Sequence, residues 1–246
     1  MALNKTEKLY SGKAKDIYAT EDADLVIMHF RDDTSAFDGI RKEQLAEKGV
    51  INNSINAFVM TYLADKGIPV HFQKKLSDTD SLVRRLTMIP VESVVRNFAA
   101  GSLVKRLGLT EGLPLKPSTY ELFVKNDELH DPMVNDSLVV TLNMASQAQL
   151  DEMKRLSLEV NSHLVELFAK ASMTLVDFKL EFGVAGDGTL CLGDEFSPDG
   201  CRIWDSATGE KMDKDRFRQN LGQVVDYYKE VAGRLGVDLN QGPNPD

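Results

Sequence analysis

The chain has no run approaching the ~18 consecutive apolar residues that a membrane-spanning helix needs, so an integral membrane protein with helical spans is not expected. It has only two cysteines, Cys191 and Cys201. They are too few for a disulfide framework and lack metal-ligand spacing, and they read as reduced thiols in or near strands. It has no basic excess. The net charge of −9 argues against a broad nucleic-acid-binding surface but allows a local basic pocket for a small phosphorylated molecule. The four histidines, His29, His71, His130 and His163, have no mutual metal spacing. The first residues lack the apolar core of a secretory signal, and a cytoplasmic protein is the expectation. What is present is enough apolar material for a core. At 246 residues and 42% hydrophobic content, the chain suits one large domain or two smaller ones sharing a cleft.

The first third reads as β-rich. Residues 9–18 form strand, turn, strand around Ser11-Gly12, and residues 25–30 a buried strand. A helix is expected over 53–66, stopped by Gly67, then strands at 68–72 and 81–86. Residues 87–90 are a plausible crossing into a second unit, because Pro90 disfavours helix before it. The expected units are therefore 1–88 and 89–246. In the second, 91–96 reads as a strand, a short helix starts at Leu103, and the proline-rich 111–137 reads as extended and loop-rich. Ser146-Gln-Ala-Gln149 is a capping box for a helix to about Ser172. A further amphipathic helix runs from near Asp213 to Gly236, and the tail 240–246 reads as loose. Without regular strand–helix alternation, the class is α+β.

Residues 175–182 alternate strictly. Phe178, Leu180 and Phe182 take one face of a strand, and Asp177, Lys179 and Glu181 the other. Acids are poor strand formers, so this polar face is unusual. If Asp187-Gly188 centres a two-residue hairpin turn, Glu181 lies opposite Asp194 on the returning strand. Facing carboxylates repel unless a cation lies between them, which suits magnesium with a lysine beside it. An exposed ion-pair network is the competing reading, but the clustering of three carboxylates favours metal and phosphate chemistry. Glu195 and Asp199 follow closely, and Arg202 is a candidate for an anionic substrate. Lys13 and Lys15, after the permissive Gly12, project to one side of an extended segment and suit a polyphosphate. Alone the motif is weak, and a solvated lysine edge that blocks aggregation is the plainer reading. Arg96, with Ala100-Gly101-Ser102, offers a bidentate fork, free backbone N–H groups and a hydroxyl. It also reads as a strand end and an N-cap. Asp38 sits in a turn and Lys125 in a strand-like stretch before an acidic loop. Either is as readily structural as functional.

Together, two stretches resemble the signatures of the SAICAR synthetase family: Met88-Ile-Pro-Val-Glu92-Ser-Val-Val-Arg96-Asn-Phe-Ala-Ala-Gly101-Ser102 and Leu175-Val-Asp-Phe-Lys-Leu-Glu-Phe-Gly183. Gly12-Lys-Ala-Lys15, Asp33-Thr-Ser-Ala-Phe-Asp38, Val124-Lys-Asn-Asp127, Gly193-Asp-Glu-Phe-Ser-Pro-Asp199 and Asp213-Lys-Asp-Arg-Phe-Arg218 support it in order from residue 9 to about 236. The resemblance implies a two-part α+β fold with a cleft, related to the ATP-grasp and protein-kinase nucleotide cradles, and a homodimer. It implies ATP-dependent joining of L-aspartate to the carboxylate of CAIR, a phosphoribosyl aminoimidazole carboxylate, giving SAICAR, ADP and phosphate. By the same resemblance Lys13, Lys15 and Lys125 face ATP, and its adenine lies near Met88. Glu181 and Asp194 hold Mg2+. Arg96, Ser102, Arg202 and Asp199 belong to the CAIR site, with Asp177, Lys179 and Asp38 near the reacting end. A small-molecule kinase and a non-catalytic nucleotide sensor are the competing readings. The first makes ADP without an amine, and the second binds ATP without turnover.

Overall fold

A computed structural model describes residues 3–36 and 40–239. Asp38 and the tail from 240 lie outside the described residues. Strands β1 (Lys8–Ser11), β2 (Lys15–Ala19), β3 (Leu25–Phe30), β6 (Phe72–Lys75) and β7 (Asp80–Arg84) form a sheet in the order β1-β2-β3-β7-β6. β4 (Asp33–Ala36) and β5 (Arg41–Gln44) make a separate ribbon. The strand expected over 68–72 is displaced. Only Val70 bridges, to Leu192, and the strand itself begins at Phe72.

Helix α1 (Lys48–Asp65) starts five residues before the expected Asn53. Its first turns bury polar side chains instead of an apolar stripe, which removes the periodic signal. Asn53 donates to the carbonyls of Ser77 and Asp78 at 3.1 and 2.9 Å, and Asn56 accepts from Phe196 N at 2.9 Å. Gly49 lies against the Phe30 carbonyl, which a Cβ would approach to 2.8 Å. The helix is thus fixed by distant loops.

A second sheet holds β8 (Leu86–Phe98), β9 (Pro114–Val124), β10 (Met133–Val134), β11 (Met173–Ala185) and β12 (Leu190–Gly193), ordered β10-β9-β8-β11-β12. β13 (Cys201–Asp205) pairs with the start of β11. All pairings between these strands are antiparallel, as α+β requires. The chain passes from one sheet to the other at Arg85, and the expected crossing at 87–90 lies inside β8. Pro90 is accommodated because the β8–β11 pairing shifts register between Glu181 and Gly183; proline is tolerated at such bulges. The strand-like stretch before the acidic loop is the second half of β9, whose first half the loop-rich reading of 111–137 missed; β10 covers the outer side of β9 only at Leu122 and Phe123. Pro114 and Pro117 therefore sit on an open edge.

The remaining helices are α2 (Ser102–Leu107), α3 (Asp136–Thr141), α4 (Gln147–Lys170), α5 (Asp215–Arg218) and α6 (Val224–Arg234). Helix α4 starts at the expected capping box, with Ser146 and Gln149 bonding reciprocally. The single helix expected from Asp213 is two, broken around Gly222, whose φ is +72°. Among the described residues no helix is long and apolar enough to cross a membrane. The core lies between α4 and the second sheet. Phe178, Leu180 and Phe182 are buried there with Phe168 and Phe196, the Phe178 and Phe196 rings 5.8 Å apart.

Candidate active site

The other face of β11 carries Asp177, Lys179 and Glu181 into a cleft of about 590 Å³ between the two sheets. Both faces of the strand are therefore covered. Asp177 is 2% and Glu181 4% exposed, so carboxylates at these positions need partners.

At one end lysines from three elements meet the acids. Lys15 reaches from β2 to pair with Asp194, and its Nζ lies 2.9 Å from Glu195 Oε1. Lys125, just after β9, pairs with Glu181. Lys179 Nζ is 2.6 Å from Glu181 and 2.7 Å from Glu92. Lys13 is 2.5 Å from Asp127 at the rim. Burial alone would lower the Lys15 ammonium, but Asp194 and Glu195 outweigh it and hold it above the ordinary lysine value. Burial alone would raise the Asp194 carboxyl, yet Lys15 and Lys179 hold it well below the usual range. Glu92 is raised, chiefly by burial, against the pull of Lys179.

The expected pairing of Glu181 with Asp194 is corrected by one residue. Glu181 lies opposite Gly193, and Ala185 N bonds Thr189 O across a three-residue loop ending in Gly188, with φ +86°. Glu181 instead faces Glu92 across the β8–β11 pair. The cation between these two carboxylates is Lys179. Asp194 reaches the cleft from just beyond β12, where its φ of +52° ends the strand. Glu92 was recoverable from period-two spacing with Arg96, since Glu92, Val94 and Arg96 share the cleft face of β8.

At the other end Arg96 and Arg202 converge on Asp177. Arg96 NH1 is 2.6 Å and Arg202 NH1 2.9 Å from its Oδ2. Cross-strand register makes this possible, Asp177 lying opposite Arg96 on one side and Arg202 on the other. Arg96 also donates to Glu121 at 2.7 Å and Ser102 at 3.2 Å, and Arg202 to Asp215 at 2.9 Å. The carboxylates of Glu121, Asp177 and Asp215 thus hold both guanidiniums in fixed orientations beside the cleft.

Other expected residues stand further off. Ser102 is not among the cleft-lining residues, and its Oγ accepts from Arg96 NH2 at 3.2 Å. Met88 is 39% exposed on β8 opposite Gly183 and is not among the cleft-lining residues. Asp199 borders the cleft, but its carboxylate is already held by Lys48 at 2.6 Å, Tyr228 at 2.7 Å and Asn52 at 3.1 Å. Lys48, wholly buried, had no signal in the sequence beyond its charge.

Among the described residues no three His, Cys, Asp or Glu side chains form a ready-made metal cage. The donor set nevertheless fits magnesium, which binds through one or two carboxylates plus phosphate oxygens and water. Glu181 and Asp194 both line the cleft, and the buried Oε2 of Glu195 beside them has no hydrogen-bond partner.

The family model of SAICAR synthetase matches residues 8–235. The chain belongs to the SAICAR synthetase family. A phosphoribosylaminoimidazole-succinocarboxamide synthase from Hahella chejuensis is 64% identical over 237 residues, 96% of this chain and 100% of that one. The crystal structure of the synthase from Ehrlichia chaffeensis superposes with a TM-score of 0.92 at 45% identity, covering 94% of this chain and 99% of that one. A SAICAR synthetase in complex with ADP gives 0.90 at 41% identity, covering 96% and 99%. As a member of the SAICAR synthetase family, the chain is an enzyme, an ATP-dependent ligase of purine biosynthesis.

Proposed function

We propose that the cleft takes ATP at its lysine-rich end and CAIR at its arginine-rich end, and joins L-aspartate to the CAIR carboxylate. The observation that carries this reading is the division of the cleft. Lys15, Lys125 and Lys179 meet Glu181, Asp194 and Glu195 at one end, while Arg96 and Arg202 meet Asp177 at the other.

A carboxylate resists attack by an amine until one of its oxygens becomes a leaving group. In this reading a CAIR carboxylate oxygen attacks the γ-phosphorus of ATP, the bond to ADP breaks, and an acyl phosphate forms. The aspartate amine then attacks the carbonyl carbon, phosphate departs with the bonding electrons, and the nitrogen loses a proton. Lys13, Lys15 and Lys125 neutralise the ATP phosphates, and Lys179 the migrating phosphoryl group. Glu181 and Asp194 would hold magnesium, which when bound screens charge on the phosphates. Asp177 fixes Arg96 and Arg202 on the CAIR phosphate, with Ser102 supporting Arg96 and Asp38 near the same pocket. Asp199 acts through the turn that it anchors, and the adenine lies towards Met88. The same reading includes a nucleotide-covering unit of residues 1–88, a second unit of residues 89–246, kinship with the ATP-grasp cradle, a homodimer and a cytoplasmic setting.

The test is ADP release with CAIR and aspartate omitted in turn. Release should require both, and release without aspartate would favour a kinase. Positional isotope exchange in ATP with CAIR alone tests the order of steps, since no exchange would count against the acyl phosphate.

A further inference from the structure

The two acids assigned to magnesium are held in different ways. Glu181 lies inside β11, and pairing on both sides fixes it, opposite Glu92 on β8 and Gly193 on β12. Asp194 has no such ladder. The paired residues of β12 end at Gly193, and Asp194 turns out of the strand with φ +52°, a conformation that side-chain-bearing residues adopt at a steric cost. A residue kept there needs neighbours that favour it over the ordinary conformations.

His71 is placed to be such a neighbour. It immediately precedes β6, and its ring Nε2 lies 2.8 Å from the Asp194 carbonyl oxygen. A carbonyl only accepts, so Nε2 carries the hydrogen and donates. The ring is not needed to join the two segments, because the backbone already does so. Val70 bridges Leu192, Leu192 N donates to Pro69 O at 2.8 Å, and His71 N donates to Leu192 O at 2.9 Å. The side chain reaches two residues further, to the point where the pairing has stopped. His71 is only 5% exposed, so water has little room to take over if the donor is lost. From α1, Asn56 accepts from Phe196 N at 2.9 Å. The backbone is thus gripped on either side of Glu195, while Lys15 pairs with the Asp194 and Glu195 carboxylates.

We infer that His71 is a positioning residue for the metal-binding acid. Its Nε2–H holds Asp194 in the left-handed conformation that aims the carboxylate into the cleft, and Asn56 is the second point of the clamp. The inference rests on the assignment of Glu181 and Asp194 to magnesium above.

The test is calorimetric titration of the full chain with ADP, with and without magnesium. With magnesium, His71→Leu should bind ADP about 10-fold more weakly than the unmodified chain, the scale of losing an outer hydrogen bond to a metal ligand. Without magnesium the two should agree within about two-fold. The Phe196 amide should exchange its hydrogen faster in the variant, since the turn opens more often. In turnover, kcat should fall about 10-fold, with the KM for CAIR within about two-fold. His71→Gln, whose side-chain N–H can reach the same carbonyl, should bind ADP with magnesium within about three-fold of the unmodified chain. ADP binding weakened equally with and without magnesium would overturn the inference, as would no weakening at all. So would His71→Gln behaving like His71→Leu. If His71→Leu does not fold, Asn56→Ala is read by the same comparison, and an unchanged magnesium effect there overturns the clamp. Failure of the magnesium assignment shows separately, as an unmodified chain whose ADP affinity ignores magnesium, and it would remove this role with it.

Discussion

The ammonium of Lys48 lies 2.6 Å from the carboxylate of Asp199, their side chains 1% and 8% exposed. Tyr228 and Asn52 complete the cluster, so α1 and α6 are both fastened to the turn that leads into Cys201 and Arg202. A buried ion pair adds little net stability, because desolvation offsets its attraction, but removing one partner strands the other charge. Lys48→Met should therefore lose about 3–5 kcal/mol in urea unfolding. Adding Asp199→Asn, which keeps an acceptor for Tyr228 without the charge, should restore at least half. A single variant within about 1 kcal/mol of the unmodified chain would contradict this.

At the lysine-rich end of the cleft, Glu181→Gln and Asp194→Asn should each lower kcat by about 100-fold or more, the scale of losing a charge-stabilising group. Circular dichroism should be unchanged, and the magnesium needed for half-maximal rate should increase. Near-normal rate at ordinary magnesium would leave Glu181 as a structural partner of Lys125 and Lys179 only.

The alternation at 175–182 was legible because a strand with one core face prints its period in the residue types, and the capping box at Ser146 because it is wholly local. Register was not. Asp187-Gly188 serves two-residue and three-residue loops alike, and the choice moved Glu181 from Asp194 to Gly193. The start of α1 was hidden because Asn53 and Asn56 bond loops far along the chain. The first half of β9 was hidden because prolines read as breakers until the open edge is known. Arg96 and Arg202 were each visible as candidates, but their joint hold on Asp177 depends on a three-strand register that no local pattern carries.

Asp213 is fully buried and accepts from Ile203 N at 2.8 Å and Asp215 N at 2.7 Å. Burial, and then the charge of Asp215, push its carboxyl up to about 7. Its folded value exceeds the unfolded one, so the folded chain binds the extra proton and this group's contribution is fully present below about pH 4. It is lost as pH rises through about 7. Relative to Asp213→Asn, the unmodified chain should lose up to about 4 kcal/mol across that window. Unfolding of the pair at several pH values measures it, and a difference independent of pH would show that the two N–H donors keep Asp213 ionised.

Gly101 has φ +55° and ψ −126°, a conformation that side-chain-bearing residues avoid. A Cβ there would lie 2.3 Å from NH2 of Arg202 and 2.6 Å from its Cζ. Arg202 has little room to yield, because Asp177 and Asp215 hold it from the other side. Gly101→Ala should therefore cost about 1–3 kcal/mol through backbone strain and also displace the Arg202 guanidinium from Asp177 and Asp215. If Arg202 binds the CAIR phosphate, the KM for CAIR should rise about 10-fold or more, the scale of a lost charge-assisted bond, with the KM for ATP unchanged. A destabilised variant with an unaltered CAIR KM would mean that Arg202 only braces Asp177, and would leave Arg96 as the CAIR ligand.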